Sequence, residues 1–502
     1  MMKISFFNSL NSKDSGVCLS NYIIFGIYIY LLLPIIIFII GWLRLSISVP
    51  LVLLLAIGLI KIFRARDNQV KIEIGKSDLE TCAIIFLIIL AIVYLSGIGR
   101  LSFQNWDHVT RNGVFEILVN NKWPVVKNFE YEGVDTKFLF IYYSAFWLPA
   151  SLVGKLLGVN IGHFFLLLWS VIGVWFFWYL VCCRLQRVSL MPFAVFIAFS
   201  GLDVVGYILT SENLSSYTIT AHIEWWAKDY QFSSFITQLF WVYNQAIPGW
   251  VITMLLLTQA TNRNVILILG ASLLFCPFPF IGAIPVAVYV LIRNTLSSKN
   301  INNAIMEIFS YENIVMGGIS GIVAFVYLRD NSAGSMIQFV FNNKRGELFS
   351  LFLFAFAEIL VYFFAVYRYQ KKQPLLWISL FFLCLCPFIK VGRDPDFCMR
   401  ASIPCLIVVW LLAVETIYKC QERKDKFGLF LIFFLLGIGF ITPIQEFNRA
   451  IHETVSLYRR GQHVYVEARS EEDLMTGYWS RNYRGFADKS FFCKYLAKKK
   501  CQ

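Results

Sequence analysis

Long apolar runs separated by short polar segments dominate the chain. A helical run of about 18 to 23 residues, rising 1.5 Å per residue, matches a hydrocarbon core of roughly 30 Å. The pattern therefore predicts an all-α polytopic membrane protein with about thirteen transmembrane helices. The predicted spans are residues 21–43, 46–63, 80–99, 161–183, 189–209, 236–260, 264–276, 278–292, 311–328, 347–368, 375–389, 400–418 and 428–443.

The amino-acid composition supports this class and limits the kinds of ligand that we expect the protein to bind. Of the 502 residues, 58% are hydrophobic and only 15% are charged, a balance that a soluble domain would not tolerate. The formal net charge of +13 lies mostly in short loops, where Lys and Arg set topology, so it does not indicate nucleic-acid binding. Cysteines fall mainly in apolar runs without metal-ligand spacing, so we expect no metal or cofactor, with a divalent ion left open.

The runs and loops divide the chain into four parts. Residues 1–99 hold three spans, 100–160 form an external loop, 161–443 form a transmembrane core, and 444–502 form a polar tail. The cationic cluster between Lys61 and Lys76 places the N-terminus in the cytoplasm by the positive-inside rule. We therefore expect residues 100–160 outside, and the tail as an extracytoplasmic soluble appendage.

Two apolar segments decide which later loops share the outer side. Residues 138–157 are apolar enough to span, but their Tyr and Pro residues and the cationic bias of the loops favour a helix that lies along the outer interface. Residues 265–292 form either one kinked, tilted helix or a short hairpin, and the distribution of Lys and Arg favours the hairpin. The loops after 99, 209 and 389 then meet on the outer face with the tail.

The first external loop begins with a charged helix start. Asn105 can cap a helix in which Asp107 and Arg111 stand one turn apart. One interpretation is an ion pair that complements the helix dipole. The other is that Asp107 is a reactive carboxylate at the membrane surface.

The order of parts from residue 80 to residue 183 resembles the GT-C membrane glycosyltransferases. It contains a spanning helix, an Asp near its outer end, an amphipathic helix and the dipeptide Trp123-Pro124. An acidic patch of Glu130, Glu132 and Asp135, an aromatic segment ending in KLLG and another spanning helix follow. The likeness is closest to the branch of protein O-mannosyltransferases and lipid A aminoarabinose transferases.

This resemblance implies a GT-C-like fold with two juxtamembrane helices in the first external loop. It implies that Asp107 acts as a catalytic base or orients the acceptor, with His108 where the family often has a second acid. Glu132, or alternatively Asp135, matches the family's acidic position before the second juxtamembrane helix. The other interpretation of this residue is a solvated surface charge. The sugar donor that the resemblance implies is linked to a polyprenyl phosphate.

Two further regions carry acidic groups. Asp203 lies inside an apolar run, where an ionised side chain is costly, so it should face a polar cavity or lock two helices by a hydrogen bond. His222 and Glu224 precede a Trp pair in the second outer loop. They are candidates for acceptor binding, while the Trp residues either stack on sugars or anchor the chain at the interface.

The third outer loop supplies cations. Arg393 and Arg400 are candidates for holding a lipid phosphate, because guanidinium groups bind phosphate oxygens in a bidentate manner. The alternative is an Arg–Asp pair that closes the loop with little energetic effect. Arg111 is a further candidate for substrate binding.

The function we expect is transfer of a sugar from a polyprenyl-phosphate donor to a lipid-linked or cell-surface glycan. The site would face outward from a multi-pass protein in the bacterial cytoplasmic (inner) membrane, in contact with membrane lipids. One alternative is a polymerase that joins undecaprenyl-diphosphate-linked repeat units. Another is a glycan or lipid transporter, which should show repeat symmetry or paired broken helices.

Overall fold

The chain folds mainly into α-helices. The computed structural model describes residues 13–65, 69–210, 222–228, 230–335, 337–339, 345–391 and 396–498. Within these ranges, eleven helical segments are long and apolar enough to cross a membrane. The protein is therefore a multi-pass integral membrane protein.

Several of these segments consist of two helices in line. The α-helices are α1 Lys13–Trp42, α2 Leu45–Arg64, α3 Leu79–Leu95, α4 Asp107–Asn120, α5 Leu148–Leu157, α6 Val159–Leu185, α7 Met191–Ala198, α8 Asp203–Thr210, α9 Phe235–Leu257, α10 Val265–Ser272, α11 Pro277–Ser297, α12 Ile301–Ile308, α13 Gly318–Leu328, α14 Arg345–Ala355, α15 Val361–Gln370, α16 Pro374–Leu385, α17 Asp396–Ala401, α18 Ile403–Glu422, α19 Lys426–Gly439, α20 Ile441–Arg459, α21 Glu471–Thr476 and α22 Phe491–Tyr495. The strands are β1 Val126–Tyr131, β2 Val134–Phe140, β3 Ile337–Phe339, β4 Ile389–Val391 and β5 Arg484–Phe486.

Helices α9 and α18 form the centre of the bundle. Every residue of α9 is buried, and α18 is buried over most of its length. An aromatic cluster joins them to their neighbours: the ring of Phe196 lies 5.0 Å from that of Trp250 and 5.6 Å from that of Trp410. Aromatic rings bury large apolar areas, so this cluster fixes the helices that carry the outer loops.

Two of the thirteen predicted spans form shorter helices. Residues 264–276 contain only the eight-residue α10, and residues 375–389 contain α16 with the turn that follows it. The predicted hairpin at 265–292 is present. At its turn the carbonyl of Leu274 accepts from the amide of Ala145 at 3.4 Å, whereas at the far end of α11 Arg293 donates to the carbonyl of Leu257 at 3.3 Å.

The first external loop contains two helices and a hairpin. Strands β1 and β2 are antiparallel, with Val126 opposite Leu139. The expectation that 138–157 lies along the interface as one helical segment is wrong for its first residues, since Phe138 and Phe140 belong to β2. The second helix of the loop is α5, which begins at Leu148 and packs against α4 and α6.

The polar tail is part of the same structure. Strand β5 pairs with β2, which places Arg484 opposite Phe140. Together with β1, these strands form a three-stranded sheet in the order β1-β2-β5. The amide of Arg469 donates to the carbonyl of Val109 on α4 at 2.8 Å. Gly113 permits this approach, because a Cβ at that position would lie 2.6 Å from the carbonyl oxygen of Arg469. The tail is thus docked onto the first external loop.

The Trp123-Pro124 dipeptide has a packing role. Its peptide bond is cis, and the Trp123 ring stacks on Trp42 of α1 at 4.8 Å. The indole nitrogen donates to the carbonyl of Leu118 at 2.9 Å, and Lys155 lies over the ring at 4.8 Å. These contacts tie the loop to the first span and hold α4 and α5 in place.

Candidate functional site

A cavity of about 730 Å³ lies among the loops that follow α3, α8 and α16. Its walls come from the start of α4, the segment after β2, the loop before α9, the α10–α11 turn, the end of α13, α17 and the tail. Of the predicted site residues that the structure describes, four line it: Asp107, Arg111, His222 and Arg400. The structure therefore brings together the three loops that the sequence placed on one face.

Asp107 and Arg111 form an ion pair in this cavity. The Oδ1 of Asn105 accepts from the amide of Asp107 at 3.1 Å, so Asn105 caps the start of α4 as predicted. One turn on, Nη2 of Arg111 lies 3.0 Å from Oδ2 of Asp107. The side chain of Asp107 is 20% exposed, so its carboxylate remains accessible from the cavity.

Arg400 provides the second guanidinium group of the cavity, with 11% of its side chain exposed. It starts from α17, and its Nη2 lies 2.8 Å from Oδ1 of Asp396 one turn earlier. Its Nη1 donates to the hydroxyl of Tyr143 at 3.0 Å. Burial alone would lower the pKa of Arg400, but the Asp396 carboxylate and the Tyr143 hydroxyl raise it above its ordinary value, so the group stays charged.

The two tyrosines between the guanidinium groups are neutral donors. Tyr142 donates to the hydroxyl of Tyr143 at 2.8 Å, and their rings lie 3.8 Å apart. Burial raises the pKa of both hydroxyls, so both keep their protons at neutral pH. Arg111 and Arg400 are close enough to act on each other electrostatically. Together these groups form a cationic floor with neutral O–H donors.

The described lining has more basic than acidic side chains. Its two carboxylates belong to Asp107 and Asp396, and its basic side chains belong to Arg111, Lys228, Arg329, Arg400 and Arg469. A cleft lined by one sign of charge concentrates ligands of the opposite sign. The arrangement therefore favours an anionic ligand.

Another wall of the cavity is apolar. It includes Leu273, Phe278, Phe325 and Leu328 from the α10–α11 turn and the end of α13. Phe325 is 60% exposed on one of the helices that are apolar enough to span a membrane. Charged and apolar groups thus lie within one cavity, which suits an amphiphilic ligand.

His222 lies in an aromatic corner of the cavity. Its Nδ1 is 2.9 Å from Oε1 of Glu446, whose Oε2 accepts from Nε1 of Trp241 at 3.0 Å. Burial alone would lower the pKa of His222, but the hydrogen bond and charge of Glu446 raise it above its ordinary value. Glu446 therefore favours the protonated form of the imidazole.

Two predicted site residues form buried hydrogen-bonded contacts with the backbone. His108 is buried, with its Nε2 3.2 Å from the carbonyl oxygen of Phe240, and burial lowers its pKa to about 3, so it is neutral. Glu224 accepts from the amide of Ser234 at 2.9 Å at the start of α9. Burial and the nearby Asp203 carboxylate raise the pKa of Glu224 to about 7. Neither residue lines the cavity.

Three other predicted residues also lie elsewhere. Asp203 accepts from Ser200 at 2.8 Å and from Thr442 at 2.9 Å, which is the helix-locking alternative. Glu132 is exposed at the β1–β2 turn with a φ of 54°, away from the cavity. Arg393 lies outside the described residues.

Several lining residues were missed by the sequence argument. Tyr142 and Tyr143 lie in the segment 138–157, whose tyrosines were interpreted only as interfacial residues. Trp106 adjoins Asp107 and is 59% exposed. Arg469 and Tyr483 of the tail carried no signal, because no local pattern indicates that the tail folds back onto α4.

Comparison with known proteins leaves the family open. No family model matches the chain, and a search of curated proteins finds no match for it.

Proposed function

We propose that the protein is a membrane glycosyltransferase, of the GT-C type that the first external loop resembles. It would transfer a sugar from a polyprenyl-phosphate donor to a lipid-linked or cell-surface glycan. The observation that carries this proposal is the cavity in which the Asp107 carboxylate lies with the guanidinium groups of Arg111 and Arg400. Transfer of a sugar from a lipid phosphate needs a carboxylate that accepts the proton of the acceptor hydroxyl, and cations that hold the leaving phosphate.

The chemistry assigns a role to each group. The acceptor hydroxyl gives its proton to Asp107 as its oxygen forms a bond to C1 of the donor sugar. The bond between C1 and the phosphate oxygen breaks, and the electron pair leaves with the lipid phosphate. Arg111 and Arg400 stabilise the negative charge that develops on the leaving group. Tyr143, held by Arg400, is a neutral donor to the same oxygens.

The apolar wall supports a lipid-linked donor. Phe278, Phe325 and Leu328 share the cavity with the guanidinium groups, so a phosphate at Arg400 and an isoprene unit at these side chains fit one ligand. Burying each CH₂ group of the lipid there contributes about 0.8 kcal/mol. A free sugar phosphate would lack this contribution.

The test is cleavage of defined donors by the full-length protein in lipid nanodiscs. The donors are a panel of farnesyl or undecaprenyl phosphates carrying glucose, mannose, galactose, N-acetylglucosamine or aminoarabinose. Mass spectrometry measures the free polyprenyl phosphate produced with an extract of membrane glycolipids as acceptor. We expect turnover of at least one donor and incorporation of its sugar into acceptor.

The alternatives predict different outcomes. A polymerase would leave every monosaccharyl lipid phosphate intact but would join diphosphate-linked repeat units. A transporter would move lipid between the leaflets of a proteoliposome and return it chemically unchanged. Either result would contradict the proposed function.

A further inference from the structure

The corner around His222 contains three tryptophan rings, two of which are exposed. The His222 ring lies 4.7 Å from that of Trp225 and 4.8 Å from that of Trp241. Trp106 approaches Trp241 edge-on at 6.1 Å. Trp106 and Trp225 are 59% and 51% exposed, and both line the cavity. Two large ring surfaces are thus open to a ligand.

Trp225 differs from its neighbour in the chain. Trp226 is 7% exposed, and its indole nitrogen donates to Asp203 at 3.3 Å. A Cβ at Gly206 would lie 2.3 Å from the Trp226 ring, so this Trp fills the helix interface tightly. Trp226 therefore accounts for the anchoring of the loop, which leaves the Trp225 ring free for binding.

The imidazole suits a hydroxyl ligand. The His222 side chain is only 7% exposed, and Glu446 engages its Nδ1, so a ligand in the cavity can reach only Nε2. Nε2 accepts a hydrogen bond when the ring is neutral and donates one when it is protonated. A sugar hydroxyl satisfies both states because it is a donor and an acceptor. A carbonyl oxygen or a phosphate would satisfy only one.

The corner is distinct from the cationic floor within the same cavity. The charges that act on His222 are those of Glu446, Glu224 and Arg449. Those that act most strongly on Arg400 are Asp396, the hydroxyls of Tyr143 and Tyr142, and Asp107. Trp106 is bonded to Asp107 in the chain and contacts the corner through Trp241. Asp107 therefore stands between the two halves.

We propose that this corner is the acceptor subsite, where a sugar ring stacks on Trp225 and one of its hydroxyls bonds to Nε2 of His222. The assignment rests on the proposed function and locates its glycan acceptor: the group bound at this corner is a sugar residue rather than a protein side chain or a lipid headgroup phosphate. A ring on Trp225 that extends toward Trp106 presents its next hydroxyl to Asp107. The donor phosphate occupies the opposite half, at Arg400.

The test is binding of simple glycosides without turnover. Saturation-transfer NMR would be recorded on the full-length protein in nanodiscs with methyl glycosides of glucose, galactose, mannose and N-acetylglucosamine. The variants are Trp225→Ala, Trp225→Phe and His222→Gln. Trp377→Ala is the matched control, because Trp377 is 47% exposed on α16 and does not line the cavity.

We expect at least one glycoside to bind saturably to the wild type and to the Trp377→Ala protein. Trp225→Ala should weaken binding by about tenfold, and Trp225→Phe should restore most of it because an aromatic face remains. Absence of glycoside binding to the wild type, or equal binding by Trp225→Ala, would overturn the subsite.

Donor cleavage separates this failure from that of the proposed function. With water as acceptor, the wild type and the Trp377→Ala protein should release polyprenyl phosphate at the same rate if the donor half is intact. Loss of donor cleavage in every protein, with glycoside binding retained, would contradict the glycosyltransferase and leave a sugar-binding cavity. A changed thermal unfolding temperature would identify a variant that is misfolded.

Discussion

Replacement of Arg400 by Lys tests whether the cationic floor binds phosphate through a guanidinium fork. Arg400 uses Nη2 for Asp396 at 2.8 Å and Nη1 for Tyr143 at 3.0 Å. Lys keeps the positive charge but has a single nitrogen, which cannot reproduce the planar, bidentate geometry. The substitution therefore removes geometry while leaving the net charge of the cavity unchanged.

The size of the effect follows from the hydrogen bonds that are lost. A hydrogen bond to a charged group contributes about 1.5 to 3 kcal/mol. Loss of one such bond to the donor phosphate should weaken binding by about 10- to 150-fold. A site that attracts phosphate only by overall charge would change by much less, since Lys228, Arg329 and Arg469 remain in the lining.

The assay is titration of farnesyl phosphate, in nanodiscs of zwitterionic lipid, at low and at physiological salt. Arg368→Lys is the matched control, because Arg368 also pairs with an Asp, at 2.9 Å from Asp425, but is 73% exposed and does not line the cavity. We expect the control to bind like the wild type. Equal affinities of Arg400→Lys and the control would refute the reasoning.

Three further predictions test the tail, the titration of His222 and the topology. Gly113→Ala puts a Cβ 2.6 Å from the carbonyl oxygen of Arg469, so we expect the free energy of unfolding to fall by about 1 to 3 kcal/mol. Trypsin should then cleave the tail faster, and an unchanged cleavage rate would contradict the docking of the tail on α4. Glu446 raises the pKa of His222 despite burial, so the stability that protonated His222 contributes is fully present below pH 6.5 and is lost as the pH rises through the higher pKa of the folded state. In the His222→Gln variant the thermal unfolding temperature should therefore vary less with pH across that window. An unchanged pH profile would contradict the assignment. In a cysteine-depleted background, an impermeant maleimide should label Lys228→Cys from the outer side of the membrane and Lys372→Cys from the cytoplasmic side. Labelling of both variants from the same side would contradict the topology.

The helical class of the chain follows from its sequence because spanning length and hydropathy are local properties. The start of α4 was also predictable, since the Asn105 cap and the Asp107–Arg111 pair depend on residues within one turn of helix. Residues 138–140 were misassigned because their apolar character suits an interfacial helix and a buried strand equally. Only pairing with the tail decides between the two.

The candidate site was predictable only in part for the same reason. Residues near the ends of apolar runs, such as Asp107 and Arg400, could be assigned to one face of the membrane and hence to a common cavity. His222 and Glu224 are only two residues apart, yet His222 lines the cavity and Glu224 does not. The sequence does not encode which of the two faces the cavity. The partner of His222, Glu446, lies more than 200 residues away, and no local pattern connects them.

The most direct measurement compares Asp107→Asn with Glu132→Gln for sugar transfer at equal protein levels in the same membrane. Asp107 lies in the cavity beside Arg111, whereas Glu132 is exposed at the β1–β2 turn. Loss of a catalytic base lowers rates by about 10²- to 10⁴-fold. We expect a decrease of that size for Asp107→Asn, with unchanged donor binding, and wild-type transfer for Glu132→Gln. Full transfer by Asp107→Asn would contradict the central claim.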